Sequence, residues 1–105
     1  QEELILLAVW KLKGNAYGIT IREHLKKITG KKMSIGAIYV PLDRLAHKGY
    51  LKAYQGAPTP ERGGMSKRYY EVTPEGFKAL KQAKELHDTM WDDLPDTELE
   101  GENLI

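Results

Sequence analysis

The chain has 105 residues, of which 41% are hydrophobic and 30% are charged, and its formal net charge is +1. This composition is typical of a single folded domain and excludes an intrinsically disordered chain. The absence of cysteine excludes a disulfide framework, a thiolate zinc site and a cysteine nucleophile. No apolar run approaches the roughly 18 residues that a membrane span needs. With no signal-peptide pattern at the start, the sequence favours a cytoplasmic location.

The near-neutral total hides a strong charge asymmetry. Residues 1–80 carry 14 Lys and Arg and 7 Asp and Glu, a net charge of +7. Residues 81–105 carry 2 Lys and 8 Asp and Glu, a net charge of −6. This pattern indicates a body that binds a polyanion, followed by an acidic segment. The alternative is two solvated surfaces of opposite sign.

Helical periodicity predicts two helices at the start of the chain. A broad apolar arc predicts the first helix over 2–13. The second is predicted over 17–29, and its apolar stripe consists of Tyr17, Ile21, Leu25 and Ile28.

A third helix is predicted over 34–48. Ser34 is a favourable N-cap, and Gly49 stands where a helix end needs a residue that tolerates positive φ. Its predicted buried stripe consists of Ile35, Ile38, Leu42 and Leu45. Pro41 lies inside this stripe, so we expect a kink rather than a break.

The opposite side of the third helix carries mostly small residues and ends in cations. The candidates for contact with a DNA major groove are Ser34, Gly36, Ala37, Val40 and Arg44. Val40 suits a thymine methyl group, and Arg44 suits guanine or a phosphate. Lys31 and Lys32, just before the helix, are placed for phosphate contacts. The alternatives are a plain exposed helix surface and solvated charge.

A β-hairpin is predicted from 50–54 and 67–73, joined by a loop rich in Gly and Pro. Arg62, Lys67 and Arg68 suit phosphates or an adjacent minor groove. Because successive strand residues point to opposite sides, we expect only one of Lys67 and Arg68 to face DNA.

The last helix is predicted to begin after Thr73, a favourable cap, and to run to about Asp92. Its apolar stripe consists of Leu80, Ala83, His87, Met90, Trp91 and Leu94. The predicted fold is therefore mainly α with a small β-hairpin. It is a winged helix-turn-helix domain (1–73) with a C-terminal helix (74–95) and an acidic flexible tail (96–105).

Four motifs together resemble the PadR-type transcriptional regulators. They are Ala16-Tyr17-Gly18, the run from Ser34 to Leu51, Glu61-Arg62-Gly63-Gly64, and the run from Lys67 to Gly76. The resemblance implies a homodimeric repressor that binds double-stranded DNA at a dyad-symmetric operator. It also implies that the C-terminal helices pair the subunits, and that a small molecule or a stress signal releases the DNA.

The resemblance also suggests roles for several aromatic residues. It implies that Tyr39 lies near the DNA backbone, while the alternative is a core aromatic with an exposed hydroxyl. The residues expected to pair the subunits are His87, Met90, Trp91 and Leu94. The sharper hypothesis is that two Trp91 rings hold a small planar apolar effector at the dimer centre, with Trp10 lining the same region.

Other function classes have little support in the sequence. The three histidines lack metal-ligand spacing, so we expect no metal site and no cofactor. No combination of nucleophile, base and oxyanion donor indicates an enzyme. The remaining alternative is a winged-helix module that binds protein and not DNA.

Overall fold

The computed structural model of the protein describes residues 2–56, 67–92 and 94. The elements in these residues are α1 (Glu2–Leu12), α2 (Gly18–Thr29), α3 (Ile35–His47), β1 (Leu51–Gln55), β2 (Arg68–Val72) and α4 (Pro74–Trp91). The order confirms the predicted fold class: mainly α, with a small hairpin after the third helix. Most of the loop predicted between the strands, 57–66, lies outside the described residues, as do 95–105.

Side-chain caps fix where α3 and α4 begin. The Ser34 hydroxyl accepts the N–H of Ala37 at 3.1 Å, and the Thr73 hydroxyl accepts the N–H of Gly76 at 3.0 Å. Such caps typically contribute about 1 kcal/mol each. Thr73 also donates to the carbonyl oxygen of Gly49 at 2.6 Å, which fastens the start of α4 to the end of α3. Both predicted caps are confirmed.

The end of α3 depends on Gly49, whose φ is +83°. This left-handed conformation suits glycine because a Cβ atom would be strained there. Upstream, α3 continues through the buried Pro41, as predicted. The predicted helix, 34–48, therefore agrees with the observed helix, Ile35–His47, to within one residue at each end.

The core lies where α1, α2 and α3 meet the hairpin. Among the residues that the structure describes, the buried hydrophobic core consists of Ile5, Leu6, Ala8, Val9, Ala16, Ile21, Leu25, Ile38, Leu42, Leu45, Leu51 and Tyr70. Two residues expected in the buried stripes are instead exposed, Ile28 by 66% and Ile35 by 46%. Both lie at the turn between α2 and α3, where no further element of the described chain covers the helix ends.

The hairpin pairs in antiparallel register, with Leu51 opposite Val72 and Ala53 opposite Tyr70. Tyr17 forms an isolated antiparallel bridge with Tyr69, and the N–H of Tyr70 donates to the carbonyl oxygen of Ala16 at 2.9 Å. The segment before α2 thus extends the two-stranded sheet by one bridge. This contact holds the hairpin beside the start of α2.

The first half of α4 packs on the domain, with Leu80 against the core and the start of the helix against β2. Its second half extends beyond this packing, and its apolar side chains there are exposed. Across the described residues, no helix combines the length and apolarity that crossing a bilayer requires.

Candidate nucleic-acid interface

The outer side of α3 presents Gly36, Val40, Asp43 and His47 to solvent at helical spacing. Gly36 leaves open space, since a Cβ atom added there would meet nothing within 4 Å. Val40 is 57% exposed, an unusual level for a valine inside a helix. Around Gly36 and Val40 this side of α3 is therefore narrow and apolar, and a flat surface could approach the backbone closely there.

Asp43 was not singled out from the sequence, although its spacing of seven from Gly36 puts it on the same side of α3. Its carboxylate can accept a hydrogen bond from a cytosine amino group, and it repels phosphate. It would therefore favour base contacts at the centre of this surface over backbone contacts.

Arg44 lies on the flank of α3 that faces α1, and there it is already paired. Its guanidinium donates to the carboxylate of Glu2 at 2.9 Å, and Lys48 donates to the other oxygen of Glu2, also at 2.9 Å. These hydrogen bonds hold the pKa of Glu2 below its ordinary value, through Arg44 first and Lys48 second. The sequence grouped Arg44 with Gly36, Ala37 and Val40, and it did not reveal that Glu2 competes for the charge of Arg44.

Four other candidates lie around the N-terminal half of α3. Lys31 and Lys32 are exposed in the short turn before it, and the hydroxyl of Ser34 serves as its cap. Ala37 is exposed one residue beyond Gly36. These positions bring small residues and two cations together at one end of the helix.

Tyr39 lies on the opposite flank of α3, towards the hairpin. Its ring packs over Gly18 at the start of α2, where a Cβ atom would overlap the Tyr39 hydroxyl. The side chain stays partly exposed, so it combines a packed ring with an accessible polar end. Glycine at position 18 is what allows this close approach of the two helices.

A cluster of aromatic rings and one cation lies at the loop end of the hairpin, where Tyr54 pairs with Tyr69. Lys67 Nζ lies 3.3 Å from the Tyr17 hydroxyl and 4.4 Å from the centre of its ring. Tyr69 packs against both Tyr17, at 5.4 Å between ring centres, and Tyr54, at 5.7 Å. The sequence flagged Lys67 but missed the tyrosines that position it.

Arg68 is the first residue of β2 and is exposed, whereas Lys67, just before the strand, is partly buried. The guanidinium of Arg68 lies 5.7 Å from the centre of the Tyr70 ring. Tyr70 is buried, and burial raises the pKa of its hydroxyl. Arg62 lies outside the described residues.

Trp10 and His87 line one open groove of about 430 Å³ between α1 and α4. The Trp10 ring meets Phe77 edge-on at 4.3 Å between ring centres, and His87 Nε2 lies 3.0 Å from a carboxylate oxygen of Glu3. Trp91 does not line this groove, since it lies 14 residues beyond Phe77, about 21 Å further along the helix. Within one subunit, the structure therefore separates Trp10 from Trp91.

The far end of α4 is apolar and exposed. Met90 is 72% exposed and Trp91 66%, and Leu94, just beyond the helix end, is also exposed. Leu86, which was not part of the apolar stripe predicted for this helix, is also exposed, one turn before Met90. Large apolar side chains gathered in this way are typical of an interaction surface.

Within the described ranges, no group of three or more His, Asp and Glu side chains is arranged to hold a metal ion. A helix with a small-residue outer surface, flanked by cations and by a β-hairpin, defines a winged helix-turn-helix DNA-binding protein. The family model for the transcriptional regulator PadR-like family matches residues 6–82. The chain therefore belongs to the PadR-like family of transcriptional regulators, and this membership confirms that it is a DNA-binding regulator and not an enzyme.

Solved structures agree with this assignment. A transcriptional regulator from Clostridium thermocellum is 28% identical over 87% of this chain and 85% of its own, with a TM-score of 0.70. A PadR-like transcriptional regulator from Bacillus cereus is 25% identical over 92% of each chain, with a TM-score of 0.68. A comparison with curated proteins found no match.

Proposed function

We propose that this regulator is a homodimeric repressor that binds a dyad-symmetric operator through α3 and releases it in response to a small molecule or stress signal. The observation that carries the proposal is the exposed outer surface of α3, with Gly36 and Val40 at its centre. An exposed helix with so little side-chain bulk fits the floor of a major groove, about 12 Å wide. In this proposal residues 1–73 form the DNA-binding unit.

Base contacts would come from Gly36, Ala37 and Val40, with Ser34 at the helix start. Close approach of Gly36 and Ala37 would let Val40 meet a thymine methyl group. Arg44 would reach guanine or a phosphate by exchanging its Glu2 partner for DNA.

Phosphate contacts would flank these residues on both sides. Lys31 and Lys32 are exposed on one side, and Arg68 is exposed on the hairpin. Tyr39 would donate its hydroxyl to a phosphate, and Lys67 and Arg62 would add charge along the wing. The net charge of +7 over residues 1–80 supports an affinity governed by phosphate neutralisation.

Dimerisation would use the C-terminal helix, 74–95. The exposed Met90, Trp91 and Leu94 offer an apolar surface that a second copy of α4 would cover. Two recognition helices would then enter successive major grooves about 34–36 Å apart. The acidic tail, 96–105, would stay away from the DNA.

An effector would act by shifting the population between two dimer geometries with different spacing of the recognition helices. It must bind one geometry more tightly than the other. Paired Trp91 rings at the dimer centre would suit a planar apolar molecule. The groove lined by Trp10 and His87 lies between α1 and α4, so a change in the position of α4 would alter its shape.

The test is fluorescence anisotropy with DNA from upstream of the protein's own gene and a scrambled duplex, at several salt concentrations. A repressor of its own promoter region should bind the native fragment more tightly, with a steep salt dependence. Equal and weak binding to both fragments would contradict sequence-specific binding there. Absence of binding even at low salt would favour the alternative, a winged-helix module that binds protein.

A further inference from the structure

A second groove, of about 760 Å³, shares no lining residue with the Trp10 groove. It lies between the start of α1, the end of α2 and the first half of α3. Its volume falls within the range of about 300–1,000 Å³ that is common for small-molecule sites. Nothing in the proposed dimer or operator contacts requires a cavity of this size here.

The walls of this groove are aliphatic. Leu25, Met33 and Pro41 form its inner part, and Leu4 and Val40 line it while remaining exposed. A ligand that covers exposed apolar surface removes it from water, which favours binding by about 25 cal/mol of free energy for each Å² covered. The groove therefore suits a ligand with a compact apolar body.

Lys31 is the one charged residue among the described residues that line the groove. The other side-chain polar group is the Thr29 hydroxyl, which already donates to the carbonyl oxygen of Leu25 at 2.8 Å. Within the described chain, Lys31 has no ion-pair partner within 4.0 Å. The groove thus offers a cation to a ligand and no competing carboxylate.

We infer that this groove binds a small amphipathic carboxylate, with its apolar body against Leu25, Met33 and Val40 and its carboxylate on Lys31. The same groove is lined by Gly36 and Ala37, which the proposed function assigns to DNA contact. The next step rests on the proposed function, in which α3 contacts the operator. Ligand and operator would then exclude each other at α3. By linkage, each would lower the affinity of the other by the same factor.

The test begins without DNA, by titrating octanoate into ¹⁵N-labelled protein and following the amide resonances. Saturable shifts are expected at Leu25, Met33 and Val40. Octylammonium, the matched ligand of opposite charge, should bind at least about fivefold more weakly, as expected for one partly exposed ion pair.

Paired variants test the role of Lys31. Lys31→Ala should weaken octanoate binding by about fivefold, whereas Lys32→Ala, which changes the adjacent lysine outside the groove, should leave it unchanged. Equal effects of the two variants, or equal binding of octanoate and octylammonium, would overturn the inference. So would shifts confined to Trp10, Phe77 and Trp91, because they would place the ligand at the groove between α1 and α4 or on α4 itself.

A second arm adds operator DNA and measures its anisotropy as octanoate is titrated. Octanoate is expected to release DNA from the wild type. Because Lys31 is also a proposed phosphate contact, Lys31→Ala is compared with the wild type at equal fractional saturation with DNA, and there about fivefold more octanoate is expected to be needed. Octanoate binding in the first arm without release in the second would overturn the exclusion at α3. Failure of the protein to bind DNA before octanoate is added would overturn the proposed function and leave the first arm standing.

Discussion

The guanidinium of Arg44 donates to the carboxylate of Glu2 at 2.9 Å, across 42 residues of sequence. Lys48 donates to the second oxygen of the same carboxylate, so one acid in the first turn of α1 holds two cations at the end of α3. In the free protein these cations are therefore partly neutralised. In the proposed complex, DNA would compete with Glu2 for Arg44, and release of Glu2 would also free Lys48.

Removing this competitor should strengthen DNA binding. Glu2→Gln frees Arg44 and Lys48, and we expect about a twofold to fivefold higher affinity for DNA, the scale of one exposed ion pair. The salt dependence should steepen, by about 0.9 in logarithmic slope for each new phosphate contact. Glu3→Gln is the matched control, since Glu3 pairs with His87 and not with α3. Identical titrations for both variants would show that Glu2 does not limit binding.

The same acid gives the fold a pH dependence of known sign. The pKa of Glu2 is lowered in the folded state from its ordinary value of 4.5, so its stabilising effect is present above that value. The effect is lost as the pH falls through the lower, folded pKa. The wild type should therefore exceed Glu2→Gln in melting temperature at pH 7 and lose this advantage progressively as the pH falls below 4.5. Thermal unfolding of both proteins across this range measures it, and the difference should be small because the side chains are partly exposed.

Arg44 and Lys32 should differ in what they contribute to binding. Arg44→Ala should weaken operator binding and relax sequence preference, since it removes a group placed to reach a base. Lys32→Ala should weaken operator and random DNA alike and flatten the salt dependence. Anisotropy titrations with both DNA fragments separate the two patterns. Unchanged operator affinity in Arg44→Ala would exclude this residue from the recognition surface.

Gly36 allows folding and DNA binding to be separated. Gly36→Ala should stabilise the fold by about 0.5–1 kcal/mol, because alanine is the better helix former and the site is open. The added methyl group should at the same time weaken operator binding, and Gly36→Leu should weaken it further. Urea unfolding measures the stability and anisotropy measures the affinity. If Gly36→Leu bound the operator as tightly as the wild type, α3 would not be the helix that enters the major groove of the DNA.

Replacing Trp91 or Trp10 by alanine should affect two different properties, self-association and stability. Trp91→Ala should lower self-association while leaving subunit folding nearly unchanged, since the side chain is exposed in the single chain. Trp10→Ala should instead lower the stability of the subunit, because its ring packs against Phe77. Sedimentation at low micromolar concentration and urea unfolding distinguish these outcomes. An unchanged sedimentation profile for Trp91→Ala would remove this residue from the interface.

The helices and strands could be predicted from the sequence because the features that define them are local. The Ser34 and Thr73 caps are formed within three residues of the N–H groups they bind, and the left-handed Gly49 is set by its own backbone. Such features depend on short stretches of chain and can be read directly. The apolar periodicity of α3 was strong enough to outweigh the proline inside it.

Relationships between distant segments could not be read in the same way. Ile28 and Ile35 fit the helical stripes, but whether a stripe residue is buried depends on what packs at that end of the helix. The contact of Lys67 with Tyr17 joins residues 50 positions apart. Periodicity gives the side of a helix on which a residue lies, and only the tertiary arrangement gives its partner.

The continuity of α4 from Pro74 to Trp91 has a consequence for the proposed dimer. Each residue inserted in a helix turns everything beyond it by about 100° and advances it by about 1.5 Å. One alanine inserted between the packed first half of α4 and its exposed apolar end would rotate the pairing surface away from its partner. Seven inserted residues would nearly restore the rotation while moving the surface outward by about 10.5 Å. In the proposed dimer, the length and rotational phase of α4 would therefore set the spacing between the two recognition helices, and with it the spacing of the operator half-sites.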